Sequence, residues 1–142
     1  MNSNPARKAI LIVDDEKAYL DLMADMLTEY LGCPVFTFLH PEKALAALPN
    51  LNIGFVVTDY HMPQVNGLDF MRKVRSLVPD VPFVLISGNA IQFADREFAE
   101  DFAPRAILEK PFSWRRLADE IVLNAPEFGA ARARPAGDPT TV

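Results

Sequence analysis

Short, continuous apolar runs alternate along the chain with longer stretches in which apolar residues return every three or four positions. The first run, AILIV at Ala9–Val13, is rich in β-branched residues and shows no polar alternation. A strand covered on both faces needs that composition. From Lys17 to Leu31 the apolar positions are Leu20, Met23, Leu27 and Leu31, with Met26 and Tyr30 beside them, which is one stripe of a helix. Gly32 and Pro34 stop it. VFTF at Val35–Phe38 predicts a second strand, and Pro41 opens a short helix through Leu48 with Ala44, Ala47 and Leu48 inward. IGFVVT, residues 53–58, predicts a third strand. A helix over Gly67–Leu77 follows, with Leu68, Met71 and Val74 on one face. FVLIS at Phe83–Ser87 is the fourth strand, and residues 90–102 carry a stripe of Ile91, Ala94, Phe98 and Phe102. A short fifth strand spans residues 106–108. Ser113 then stands as N-cap of a last helix with Trp114, Leu117, Ile121 and Val122.

Five strands alternating with five helices predict an α/β fold, a parallel sheet with helices on both faces. Right-handed crossovers make it doubly wound. Residues 1–7 read as a short N-terminal arm, residues 8–124 as one domain, and residues 125–142 as a disordered tail rich in Pro, Ala, Gly and Arg. The tail implies that no output domain follows.

The chain has 142 residues, 50 % of them hydrophobic and 23 % charged, which suits one domain with a real core. A net charge of -5 argues against a general nucleic-acid binder or an anionic-membrane binder. The single cysteine, Cys33, cannot form an internal disulfide and fits a reducing compartment. The N-terminal apolar run is too short for a signal peptide, and no stretch approaches a membrane span. A cytoplasmic location is the expectation.

Chemistry collects where the strands end. The first strand is followed by Asp14, Asp15 and Glu16, the third by Asp59, the fourth ends on Ser87, and the fifth runs into Glu109, Lys110 and Pro111. Ligands of open parallel sheets bind at those carboxyl ends. In a strand order 2-1-3-4-5, strands one and three are neighbours, so Asp14, Asp15 and Asp59 converge. Clustered carboxylates repel unless a proton or a cation intervenes, and oxygen-only ligands suit Mg²⁺. Lys110 adds a fixed positive charge and Ser87 a hydroxyl, so the set can hold a phosphoryl group. Glu109 reads as a solvated charge. Singly, each of these residues is an ordinary turn or strand-end residue; it is their shared edge that points to a site.

The segments LIVDDE, VVTDYHMPQVNGLDF, VLISGN and ILEKPF, in that order and spacing, resemble the receiver domains of response regulators, the chemotaxis-type phosphoacceptor domains of two-component signalling. The resemblance runs from about Lys8 to Asn124. It implies a flavodoxin-like sheet ordered 2-1-3-4-5 and makes Asp59 the phosphoacceptor. Asp14 and Asp15 become the acidic pair that organises Mg²⁺ (Mn²⁺ can substitute), with Asp15 favoured as direct ligand and the backbone carbonyl of His61 as another. Ser87 and Lys110 would bind the phosphoryl group, and Lys110–Pro111 would be a cis peptide. The implied partner is a histidine kinase or a histidine phosphotransfer protein. A downstream protein would read the face of the helix at 90–102, strand five and the last helix. The implied role is a signalling switch or phosphorelay intermediate with slow self-dephosphorylation, not an enzyme acting on others.

One position departs from the family pattern. Three residues before the lysine, where the family usually has Tyr or Phe, stands Ile107. Isoleucine is stiff about its first torsion and has no hydroxyl, so the readout is expected in the loops rather than in a swinging ring. Two other function classes compete. An aspartate-nucleophile Mg²⁺ phosphatase usually carries a second acid two residues after the nucleophile, where this chain has His61. A non-phosphorylated protein-binding module would not require the intact set of Asp14, Asp15, Asp59, Ser87 and Lys110.

Overall fold

A computed structural model describes residues 8–88 and 103–129. The strands are β1 (Ala9–Val13), β2 (Val35–Phe38), β3 (Ile53–Asp59), β4 (Phe83–Ser87) and β5 (Ala106–Glu109). The helices are α1 (Lys17–Leu31), α2 (Pro41–Ala47), α3 (Gly67–Leu77) and α4 (Trp114–Asn124), with a 3-10 turn at Leu48–Asn50. The strands form one sheet in the order β2-β1-β3-β4-β5, and every pair is parallel. The doubly wound order expected from the sequence is therefore the one observed. The predicted helix at 90–102, the arm at 1–7 and residues 130–142 lie outside the described residues.

Side-chain alternation along the strands divides the core in two. Ile10, Ile12, Phe55, Val57, Val84, Ile86 and Leu108 point to one face and pack with α1 and α4. Leu11, Val13, Val56, Phe83 and Leu85 point to the other and pack with α2 and α3. β1, β3 and β4 are buried along their whole lengths, as their unbroken apolar runs require. β2 is the half-exposed edge strand.

The helix stripes hold. Leu20, Met23, Leu27 and Leu31 are the buried residues of α1. Gly32 ends that helix in the left-handed region, φ 69°, and its N–H bonds Thr28 O at 2.9 Å. Ser113 caps α4 by accepting from Arg116 N, and Asn66 caps α3 by accepting from Asp69 N. In α3, Phe70 is buried beside Leu68, Met71 and Val74, so the inward face is wider than the three-residue stripe.

The boundary expected after Asn124 falls too early. Residues 125–129 turn back onto the sheet, with Ala125 and Phe128 almost fully buried. Phe128 N bonds Ala125 O at 3.0 Å, and the Phe128 ring meets Phe55 edge-on at 6.4 Å. A Cβ on Gly54 would lie 3.1 Å from Phe128 Cζ, so the absence of a side chain there makes room for the ring. Composition hid this anchor, because one aromatic among Pro, Gly and Ala produces no periodicity.

Candidate functional site

The carboxyl edge of the sheet brings four sequence-predicted residues into contact range. Asp14 follows β1 directly, Asp59 is the last residue of β3, and Lys110 follows β5. Lys110 N bonds Ser87 O at 2.8 Å, which ties the end of β5 to the end of β4. The Lys110–Pro111 peptide is cis, as the resemblance implies. From this position Lys110 Nζ lies 3.1 Å from Asp14 Oδ2 and 3.4 Å from Asp59 Oδ2.

Asp14, Asp15 and Asp59 each offer a carboxylate oxygen, and these oxygens all lie within 4.8 Å of one another. Asp14 is fully buried, Asp59 nearly so, and Asp15 is exposed. Local backbone donors hold the two buried acids. Glu16 N donates to Asp14 Oδ1 at 2.9 Å, and His61 N donates to Asp59 Oδ1 at 3.2 Å. His61 thus touches Asp59 at the end of β3 through its main chain, while its imidazole stands edge-on to Tyr60 and remains exposed. Ser87 is fully buried at the end of β4.

Gly67 holds the loop after Asp59 in place. A Cβ there would lie 2.7 Å from Asp59 O and 3.0 Å from Tyr60 Cα, inside any tolerable contact. Gly67 N also bonds Tyr60 O at 2.8 Å. The first turn of α3 therefore rests directly on the end of β3, which only a glycine permits.

The electrostatics are those of charges withdrawn from water. Burial pushes the Asp14 carboxyl up to about 6; the Glu16 N–H opposes this, the neighbouring Asp59 adds to it, and Lys110 opposes it. Burial also raises Asp59, against Lys110 and the His61 N–H. Burial alone would lower Lys110, but Glu16, Asp14 and Asp59 outweigh it and hold the ammonium above the ordinary lysine range. Asp14 Oδ2 has no aligned hydrogen bond despite its 3.1 Å approach to Lys110.

Two side chains beside Lys110 were not among the predicted site residues, although Glu16 stands in the run of acids after β1. Glu16 Oε1 lies 2.9 Å from Nζ, and the Tyr19 ring centroid lies 5.0 Å from it. Tyr19 also meets Phe112 edge-on at 5.8 Å, and its buried hydroxyl has no hydrogen-bond partner among the described residues.

The donor set fits a hard divalent cation. Three carboxylate oxygens in one small volume match the oxygen-only preference of Mg²⁺, and Asp14 Oδ2 is buried with no aligned hydrogen-bond donor among the described residues. Fold and site together define a doubly wound domain with an aspartate cluster suited to phosphoacceptor and Mg²⁺ binding.

Comparison with known proteins gives the family. The model of the response regulator receiver domain matches residues 10–122. The chain belongs to that family. It is 33 % identical over 125 residues to the C4-dicarboxylate transport transcriptional regulatory protein DctD of Rhizobium meliloti, covering 84 % of this chain and 25 % of DctD. It is 33 % identical over 112 residues to the response regulator SaeR of Staphylococcus aureus, covering 79 % of this chain and 48 % of SaeR. The chain thus spans between a quarter and half of these curated relatives. Among solved structures, a CheY-like receiver domain protein from Methanospirillum hungatei is similar at a TM-score of 0.74 and 26 % identity, over 86 % of this chain and 96 % of that one. The response regulator TrrA of Thermotoga maritima, solved with Mg²⁺ and BeF, is similar at a TM-score of 0.68 and 26 % identity, over 80 % and 96 %. The family is one of two-component signalling rather than of conventional enzymes. Among the described residues no helix is long and apolar enough to cross a membrane.

Proposed function

We propose that this chain is a phosphoacceptor switch or phosphorelay intermediate in which Asp59 receives a phosphoryl group from a phosphohistidine. The donor is a histidine kinase or a histidine phosphotransfer protein. The observation that carries this reading is the approach of Lys110 Nζ to Asp59 Oδ2, 3.4 Å, beside carboxylate oxygens of Asp14, Asp15 and Asp59 grouped within 4.8 Å.

An Asp59 carboxylate oxygen attacks phosphorus. The new O–P bond forms as the P–N bond to the donor imidazole breaks, and the imidazole leaves as the neutral base after taking a proton. Lys110 pairs with the phosphoryl oxygens, and the Ser87 hydroxyl donates to one of them. Asp14 and Asp15, with Asp59 and the backbone carbonyl of His61, would hold Mg²⁺, which offsets the charge of the transferring group. Water later cleaves the acyl phosphate and returns the carboxylate.

A protein that reads the β5–α4 face and the adjoining loops completes the switch. Ile107 is half-buried against the core cluster of α2 and α3. It stays packed in both states, so the Tyr60–Gly67 loop and the residues after Ser87 carry the change.

Acetyl phosphate with Mg²⁺ is expected to add one phosphoryl group to the wild type and none to Asp59→Asn, read by intact mass. Equal labelling of the two would reject Asp59 as acceptor. No labelling of the wild type would favour a non-phosphorylated binding module. Steady hydrolysis of many equivalents of a phosphate monoester would favour a phosphatase.

A further inference from the structure

Among the described residues Lys110 has three carboxylate neighbours, and the nearest is not one of the predicted site residues. Nζ lies 2.9 Å from Glu16 Oε1, closer than to Asp14 at 3.1 Å or Asp59 at 3.4 Å. The three pairs differ in freedom. Asp14 and Asp59 are buried and clamped by backbone donors, whereas the Glu16 side chain is 62 % exposed. The Glu16 backbone is fixed, since its N–H is held by Asp14 and its carbonyl accepts from Leu20 N in the first turn of α1. The Tyr19 ring flanks the ammonium. Only the outer part of the Glu16 side chain can therefore move without disturbing the fold.

We propose that Glu16 is a positioning residue that tethers Lys110 in a resting place and must let it go when a phosphoryl group arrives on Asp59. This rests on the reading of Asp59 as phosphoacceptor. A phosphoryl group brings about two negative charges and three acceptor oxygens next to Lys110. Of the three existing pairs, the water-exposed one is the most screened and the easiest to give up. While it lasts, Glu16 opposes phosphorylation in two ways. It occupies the ammonium that the phosphoryl group needs, and it places a like charge beside the entrance of an anionic donor. Glu16 thus raises the donor concentration at which the switch responds.

Beryllofluoride with Mg²⁺, a stable phosphoryl mimic, provides the probe, and binding is followed by NMR or calorimetry on the whole chain. Glu16→Gln is expected to bind it roughly two- to fivefold more tightly than wild type at low salt, a factor set by one unit charge near the site. Phosphorylation by limiting acetyl phosphate should quicken by a similar factor. Glu16→Asp separates the two effects. It keeps the charge but is one methylene too short to hold Nζ from the same backbone position, so it should retain part of the gain at low salt. Thermal melts of both variants should match wild type, because Glu16 is exposed.

Unchanged or weaker binding by Glu16→Gln would overturn the role of Glu16. Gain in Glu16→Gln with none in Glu16→Asp would overturn the tether. If wild type itself bound no beryllofluoride, the phosphoacceptor reading would fail, and the failure would not be one of Glu16 alone.

Discussion

At the carboxyl edge of the sheet, Asp14 and Asp59 are buried beside Lys110, and Ser87 is buried at the end of β4; at the amino edge, Phe128 closes over Gly54 and Phe55. The first end withdraws charges from water, and burial raises the Asp14 and Asp59 carboxyls accordingly. The second end withdraws apolar surface, and burying a phenylalanine side chain contributes about 2 kcal/mol. One pole gathers charged groups at the expense of stability, while the other gathers apolar surface and supplies it.

The largest effect that would test this division lies at the amino edge. Phe128→Ala should lower unfolding stability by roughly 3 kcal/mol, the low end for a large buried aromatic because the site lies near a chain end. Its labelling by acetyl phosphate, measured well below its melting temperature, should remain near wild type. Chemical denaturation that showed no loss would mean that residues 125–129 do not support the core.

A smaller and opposite effect belongs to the carboxyl edge. In the folded, metal-free protein Asp14 holds its proton up to about pH 6, above its unfolded value of 3.8, and Asp59 is raised in the same direction. The folded state therefore binds more protons than the unfolded state in that window, and stability falls as pH rises through it. Melting temperature in a chelator should be higher near pH 5 than near pH 7.5. Asp14→Asn should flatten that slope and melt above wild type at pH 7.5. A melting temperature that rises with pH, or a destabilised Asp14→Asn, would show that the buried carboxylates stabilise this pole.

The smallest effect concerns Tyr19. Its hydroxyl is buried without a partner among the described residues, so Tyr19→Phe removes a desolvated polar group and keeps the ring beside Lys110. Stability should stay within about 1 kcal/mol of wild type, on the favourable side. A clear loss would mean that the hydroxyl is satisfied and that this pole stores less cost than its geometry implies.

The strands, the helices among the described residues and the convergence of Asp14, Asp15, Asp59 and Lys110 were legible because each depends on local pattern or on which residue ends a strand. What escaped depended on reach. Glu16 contacts Lys110 across 94 positions of sequence, and no spacing rule links them. Gly67 reads as an ordinary helix start until the end of β3 is found pressed against it. Phe70 escaped because α3 is embraced on a broader front than a narrow stripe suggests. Phe128 was concealed by its neighbours, since a lone aromatic in a Pro- and Ala-rich stretch has no period to betray it.

The hollow over Gly54 has a further consequence for how the domain can be joined to others. The same imaginary Cβ that would meet Phe128 at 3.1 Å would meet Lys8 Cδ at 2.7 Å and Lys8 Cβ at 2.9 Å. Lys8 and Phe128, from the first and last described stretches of the chain, therefore lie close together at the pole away from the acids. A unit whose ends adjoin can be spliced into a loop of a larger protein without being stretched. It can also be cut elsewhere and rejoined through its ends. In either arrangement the carboxylates would face outward, turned away from the host.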